Sequence, residues 1–147
     1  MVFELAFTSP DVTADLDELM ITAGGMLVIG DDVKSYLDFV RPMVALYVGG
    51  MGSKDKNFYN DLFARYGYEE EAAKIQDLYL DGKKDEAAAM IPTDFLDAIS
   101  LVGPEGYIRE CLAAFGEAGV THLNVIPVPT EGQTQTGLVS KLKELAG

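Results

Sequence analysis

The chain has 147 residues, of which 24 are acidic and 11 basic, for a net charge of −13 at pH 7. Such a surface repels nucleic-acid phosphates and anionic lipid, so we expect neither as a partner. No apolar run reaches the roughly 18 residues of a membrane helix, and the start MVFELAFTSPDV lacks the features of a secretory signal. The single cysteine cannot form an internal disulfide, which favours a cytoplasmic location.

The N-terminal part of the chain holds one strong strand pattern after two weaker signals. Alternation over residues 2–7 suggests a strand, and Ser9-Pro10 suggests a helix start. Residues 19–29, LMITAGGMLVI, form a nearly continuous apolar run, which predicts a strand buried on both faces. The paired glycines within it indicate a bulge, or a segment that approaches the backbone closely.

The middle of the chain is predicted to be helical. Apolar residues from Val33 to Tyr47 keep helical spacing, and Pro42 predicts a kink or restart near Arg41. A loop is expected where three glycines occur in residues 49–52. Further helices are predicted over residues 57–66, 69–80, 84–90 and 94–100.

The C-terminal part predicts a helix, a strand and a last helix. An apolar stripe that includes Cys111 follows Pro104, and its helix should end at Gly119. Residues 120–128 alternate as in a strand, with His122 and Asn124 on one face. We therefore predict an α/β fold with two or three parallel strands, in a single domain over residues 1–147. The open strand edges should be covered by another segment or by self-association, as in a homo-oligomer.

Few residues in the chain suggest chemistry by themselves. The glycines of residues 49–52 lack the strand–loop–helix context of a phosphate-binding loop. His122 has no cysteine or carboxylate at ligand spacing, so we predict no metal site. The segment Asn57-Phe58-Tyr59-Asn60 admits two interpretations. It is either a helix N-cap followed by core aromatics, or an aromatic wall with amide donors at the rim of a pocket.

Two longer segments together resemble a known family. The run RPMVALYVGGMGSKDKNFYNDLFARYGYEEEAAKIQDLYLDGKKDEAAAMIP resembles the segment after the seventh strand in coenzyme F-420-dependent oxidoreductases of the bacterial luciferase-like superfamily. The run SLVGPEGYIRECLAAFGEAGVTHLNVIPV resembles their closing helix and eighth strand. The resemblance covers about residues 19–128, chiefly through the succession GGMG, KNFYND, RYGYE and IQDLYLDG.

The resemblance implies the C-terminal portion of a (β/α)8 TIM barrel of luciferase-like type. Residues 19–30 would be the seventh strand, 53–100 a helical insertion and 120–128 the eighth strand. A full barrel needs about 250 residues. The first six strands, with most of the family's deazaflavin-binding residues, would be missing, so we expect poor activity from this chain alone.

The implied reaction is hydride transfer between the deazaflavin coenzyme F-420 and an unknown small organic substrate. Barrel active sites lie at the C-terminal ends of the strands. On that basis the expected cofactor or substrate pocket includes Tyr47, Met51, Phe58, Tyr59 and Asn124, while no catalytic residue is assigned. Two alternatives stay open: a non-catalytic binding or assembly module derived from this fold, and an FMN-dependent monooxygenase of the same superfamily.

Overall fold

The computed structural model of the protein describes residues 19–147, so the elements predicted within residues 1–17 lie outside the described residues. The described chain forms two compact units. A sheet unit contains residues 19–33 and 98–147, and a helical unit contains residues 34–97. Across these residues no helix is long and apolar enough to cross a membrane.

Three parallel strands make up the sheet, in the order β2–β1–β3. Their bounds are Thr22–Ile29 for β1, Leu101–Gly103 for β2 and His122–Pro127 for β3. The predicted parallel α/β architecture is confirmed. Strand β2 was missed because its three residues are too few to show alternation. Strands β1 and β3, which lie within the predicted seventh and eighth strands, pair directly in parallel, and β2 pairs on the other side of β1.

One face of the sheet is covered by two helices, α6 (Glu105–Glu117) and α7 (Gln135–Ala146). Their apolar stripes pack on the strand side chains that point to this face, and Cys111 lies half-buried against them, as predicted. Burial of this apolar surface is the main stabilising term of the unit. The buried members of the cluster are Leu27, Ile29, Leu101, Ile108, Leu138, Leu142 and Leu145.

The paired glycines of β1 sit where neighbouring backbone comes close, as predicted. Gly24 has φ +145°, and a Cβ placed on it would lie 2.0 Å from the carbonyl oxygen of Asn124 on β3. A Cβ on Gly25 would lie 2.2 Å from the carbonyl oxygen of Ile99, just before β2. Only glycine allows both backbone segments to approach β1 at these positions.

The helical unit begins with a 3₁₀-helix, Lys34–Phe39, and restarts as α1 at Arg41, as Pro42 predicts. A π-helical turn, Leu46–Gly50, continues directly from α1. The glycine loop therefore begins two residues later than expected. The remaining helices match the predicted positions closely: α2 Phe58–Arg65, α3 Glu69–Leu80, α4 Lys84–Ala89 and α5 Thr93–Ala98.

An aromatic cluster forms the centre of the helical unit. Phe63 is buried, stacks on Tyr68 with ring centroids 5.0 Å apart and meets Phe95 edge-on at 4.6 Å. The Tyr68 hydroxyl donates to Asp94 at 2.9 Å. Burial, and the hydrogen bond to Asp94, raise the pKa of Tyr68 above its ordinary value. The phenol therefore stays protonated and holds the α2–α3 turn against α5.

Substitution of Gly24 tests the close approach of the strands. Gly24→Ala should lower the free energy of unfolding by about 2 kcal/mol or more, because the methyl group would overlap the Asn124 carbonyl at a strained φ. Gly116→Ala is the matched control, since nothing lies within 4 Å of its added Cβ. Replacing that helical glycine should stabilise by about 0.5–1 kcal/mol. Urea unfolding measures both free energies. An equal change in the free energy of unfolding for the two variants would contradict this explanation.

Candidate functional site

The π-helical turn leaves backbone carbonyls that two asparagines bind. In a π-turn the hydrogen-bond register shifts, so carbonyls near the helix end lack their usual partners. Asn57 Nδ2 donates to the carbonyls of Val48 at 2.9 Å and Tyr47 at 3.2 Å. Asn60 Nδ2 donates to Val48 at 3.0 Å and to Ala72 at 2.8 Å. We call this set of four hydrogen bonds the asparagine clamp.

Asn57 also caps helix α2. Its Oδ1 accepts from the backbone N–H groups of Tyr59 at 3.0 Å and Asn60 at 3.2 Å. The side chain is only 3% exposed. Both of its amide hydrogens and its oxygen are therefore bonded within the protein, and this amide is not free to donate to a ligand. The predicted N-cap is confirmed.

The aromatic residues that follow Asn57 lie at the surface, so the interpretation as core aromatics is wrong. Phe58 is 70% exposed and Tyr59 39% exposed. Tyr59 meets Tyr47 edge-on at a centroid distance of 4.7 Å and Phe58 at 5.5 Å. Met51, seven residues before the start of α2 at Phe58, is 49% exposed. We call Tyr47, Met51, Phe58 and Tyr59 the aromatic rim.

The hydroxyl groups of the rim are not engaged by the described part of the protein. Neither Tyr47 nor Tyr59 makes a side-chain hydrogen bond with any of residues 19–147. Each phenol can therefore donate to, or accept from, a bound molecule. The rim thus offers aromatic faces for stacking together with two polar groups for orientation.

The glycines between α1 and α2 serve packing. A Cβ on Gly49 would lie 2.5 Å from Cβ of Tyr79, and a Cβ on Gly50 would lie 2.4 Å from the ring of the same tyrosine. Helix α3 can therefore pack directly on the π-turn. The close packing of Tyr79 explains why both positions are glycine, and no phosphate-binding role is needed to explain them.

The turn between the π-helix and α2 carries two lysines. Lys54 Nζ pairs with Asp77 at 2.6 Å, and this contact raises the pKa of Lys54. Lys56 makes no salt bridge with any residue in the described range. Lys56 is therefore open to an anionic group of a ligand, in a chain whose net charge is −13.

Asn124 belongs to the sheet unit, whereas the other four predicted site residues belong to the helical unit. It is exposed on β3, on the same face as His122 and Ile126, and Ile126 is 65% exposed. Its side chain makes no hydrogen bond to the described residues. His122 bonds through Nδ1 to Thr121 Oγ1 at 2.8 Å. No group of His, Cys, Asp and Glu in residues 19–147 could hold a metal ion.

Gln133, which no sequence pattern singles out, organises the C-terminal end of the sheet. Its Nε2 donates to the carbonyl of Ile29 at 2.9 Å, and its Oε1 accepts from Thr130 N–H at 3.1 Å. The loop after β3 is thereby tied to the end of β1. A polar residue in a loop has no period or motif, so only the fold reveals this role.

The asparagine clamp can be tested by comparing two substitutions at one position. Asn57→Ala should lower the free energy of unfolding by about 2 kcal/mol, from the lost cap and from buried carbonyls left without donors. Asn57→Asp keeps the cap but replaces the donors with a carboxylate that faces the Tyr47 and Val48 carbonyls, so it should also destabilise at neutral pH. Asn124→Ala is the exposed control and should stay within about 0.5 kcal/mol. A fully stable Asn57→Asp variant in urea unfolding would contradict the clamp.

Comparison with known proteins now gives the family. The family model described as luciferase-like monooxygenase matches residues 11–122. A Mycobacterium tuberculosis protein with the name "Putative coenzyme F420-dependent oxidoreductase Rv3520c" is 34% identical over 119 residues. That match covers 81% of this chain and 34% of the relative, so the chain spans about a third of the relative's length. No solved structure matches significantly. The chain belongs to the luciferase-like monooxygenase family.

Proposed function

We propose that the chain forms part of an oxidoreductase that transfers hydride between coenzyme F-420 and an organic substrate. The observation that carries this proposal is the aromatic rim, a set of exposed rings held by the asparagine clamp. The name of the mycobacterial relative supports the choice of cofactor. When bound, the deazaflavin supplies the hydride chemistry, and the protein supplies binding and orientation.

The chemistry of the rim suits a planar heteroaromatic ring system. Phe58 and Tyr59 present apolar ring surface, and Met51 adds a polarisable thioether that adapts to an aromatic face. The tyrosine hydroxyls can bond to ring carbonyl or nitrogen atoms. These residues would hold and orient the ring and exclude water from one side of it, whereas Lys56 would attract an anionic substituent.

A rigid backbone beneath the aromatic rim should increase its affinity for a ligand. Exposed aromatic side chains bind better when their backbone is already fixed, because less conformational freedom is lost on binding. The clamp fixes both backbone segments of the rim, since Asn57 bonds to the Tyr47 carbonyl and to the Tyr59 N–H. The rim is therefore preorganised for a ligand.

We further propose that the sheet unit belongs to a luciferase-like (β/α)8 barrel completed by additional strands. Family membership supports this fold, and the relative is long enough to provide the other strands. In such a barrel the site lies at the C-terminal ends of the strands. The loop held by Gln133 lies at that end, and Asn124 occupies the exposed sheet face as an amide donor to substrate.

FMN is the second candidate cofactor. The family description refers to monooxygenases. The ring system of a flavin has the same planar shape as that of a deazaflavin. The rim contacts alone do not distinguish the two ring systems. Both cofactors therefore belong in the same experiment.

The proposal is tested by fluorescence titration of the purified chain with coenzyme F-420, and with FMN in parallel. We expect saturable binding of F-420. Tyr59→Leu should weaken it about three- to tenfold, because a stacking contact is lost while the apolar volume is kept. Phe39→Leu is the matched control, since Phe39 is 73% exposed in the same unit but lies outside the rim.

Three outcomes would contradict the proposal. The first is no saturable binding of either cofactor, and the second is an equal loss of affinity in the Tyr59 and Phe39 variants. The third is binding of FMN with no binding of F-420, which would favour the monooxygenase alternative.

A further inference from the structure

A groove lies at the N-terminal end of the parallel sheet, opposite the end where barrel enzymes place their active sites. It is formed within the sheet unit by the C-terminal part of α6, the first residues of β3 and the last turn of α7. Its volume is about 410 Å³. That size is at the lower end of the roughly 300–1,000 Å³ typical of small-molecule pockets.

The base of the groove is apolar and firmly supported. Leu112 and Phe115 of α6 and Leu123 of β3 line it, together with Leu145 of α7. The first three are half-buried against the sheet core, and Leu145 is a buried member of that core. Their other sides are packed, so these side chains present a fixed apolar surface to the groove.

Three polar side chains line the same groove, Arg109, Thr121 and His122. Arg109 forms no salt bridge with the described residues, and the carboxylate four residues before it, Glu105, pairs with Lys141 at 3.7 Å. His122 uses Nδ1 for Thr121 Oγ1, and Thr121 Oγ1 is itself held by the backbone of Ile21. This leaves the guanidinium group and the Nε2 atom of the imidazole without partners in residues 19–147.

Among the described residues that line the groove, Arg109 alone carries a formal charge. Helices α6 and α7 both end near the groove, and their C-terminal carbonyls carry partial negative charge. That effect is confined to the last turn, whereas Arg109 lies two turns before the end of α6 at Glu117. The guanidinium can therefore bind a carboxylate through two parallel N–H bonds.

We propose that this groove binds a small amphipathic carboxylic acid, with its apolar body on Leu112, Phe115 and Leu123 and its carboxylate on Arg109. Arg109 is the group that meets the carboxylate, while His122 is held beside Thr121 at the groove wall. The site is separate from the aromatic rim, which belongs to the other unit. Its occupation does not depend on the deazaflavin proposal, and either can fail without the other.

Octanoate is the probe, and 1-octanol is its neutral counterpart, in isothermal titration of the purified chain. Wild type should bind octanoate at least about tenfold more tightly than 1-octanol, from the charge-assisted contact. Arg109→Gln should remove that difference while 1-octanol binding stays unchanged. Arg65→Gln is the matched control, because Arg65 is an exposed helical arginine in the other unit.

A second variant tests the apolar part of the site. Ala113→Trp places a large ring in the groove and should weaken octanoate and 1-octanol together. The proposal is overturned if wild type binds neither probe, if Arg109→Gln binds octanoate as wild type does, or if Ala113→Trp leaves both affinities unchanged. None of these measurements involves F-420, so they do not bear on the function proposed above.

Discussion

The helical unit depends on the side chain of Asn57. This one amide caps α2, and it also satisfies carbonyls that the π-turn removes from the helical ladder. Since the residue is almost fully buried, losing either set of bonds would leave polar groups without partners in a water-poor site. Asn60 adds a bond to α3, so that one short segment joins three successive elements.

The motifs that carry the family resemblance can now be explained physically. The glycines of GGMG give space to Tyr79, which itself belongs to IQDLYLDG. The asparagines of KNFYND form the clamp, and in RYGYE a positive-φ Gly67 ends α2 before Tyr68 joins the aromatic cluster. The four motifs are joined by packing and hydrogen bonds, and these contacts hold the backbone of the aromatic rim in place. The motifs that mark the family therefore account for the packing beneath the aromatic rim, and they do not by themselves indicate a reaction.

Much of this architecture was predictable from local signals. Pro42, Asn57, Gly67 and Gly82 mark helix ends through backbone constraints that act within a few residues, and the helix bounds followed from them. Other features depend on distant partners. The π-turn exists because Asn57 and Asn60 stabilise it, β2 exists because β1 pairs with it, and the exposure of Phe58 follows from which face of α2 packs inward. The rings of Tyr47, Phe58 and Tyr59 meet one another, but no pattern in the sequence could show that Asn124 lies in a different compact unit.

Amide hydrogen exchange measures most directly whether the clamp supports the rim. The N–H groups of Tyr59 and Asn60 lie in the first turn of α2, where backbone donors usually exchange rapidly because they lack helical acceptors. If Asn57 Oδ1 holds them, both should exchange far more slowly than the N–H of Phe58, the first residue of the same helix. Exchange of all three at the same unprotected rate would show that Asn57 does not fix this turn, and the explanation of the rim as a preorganised surface would be wrong.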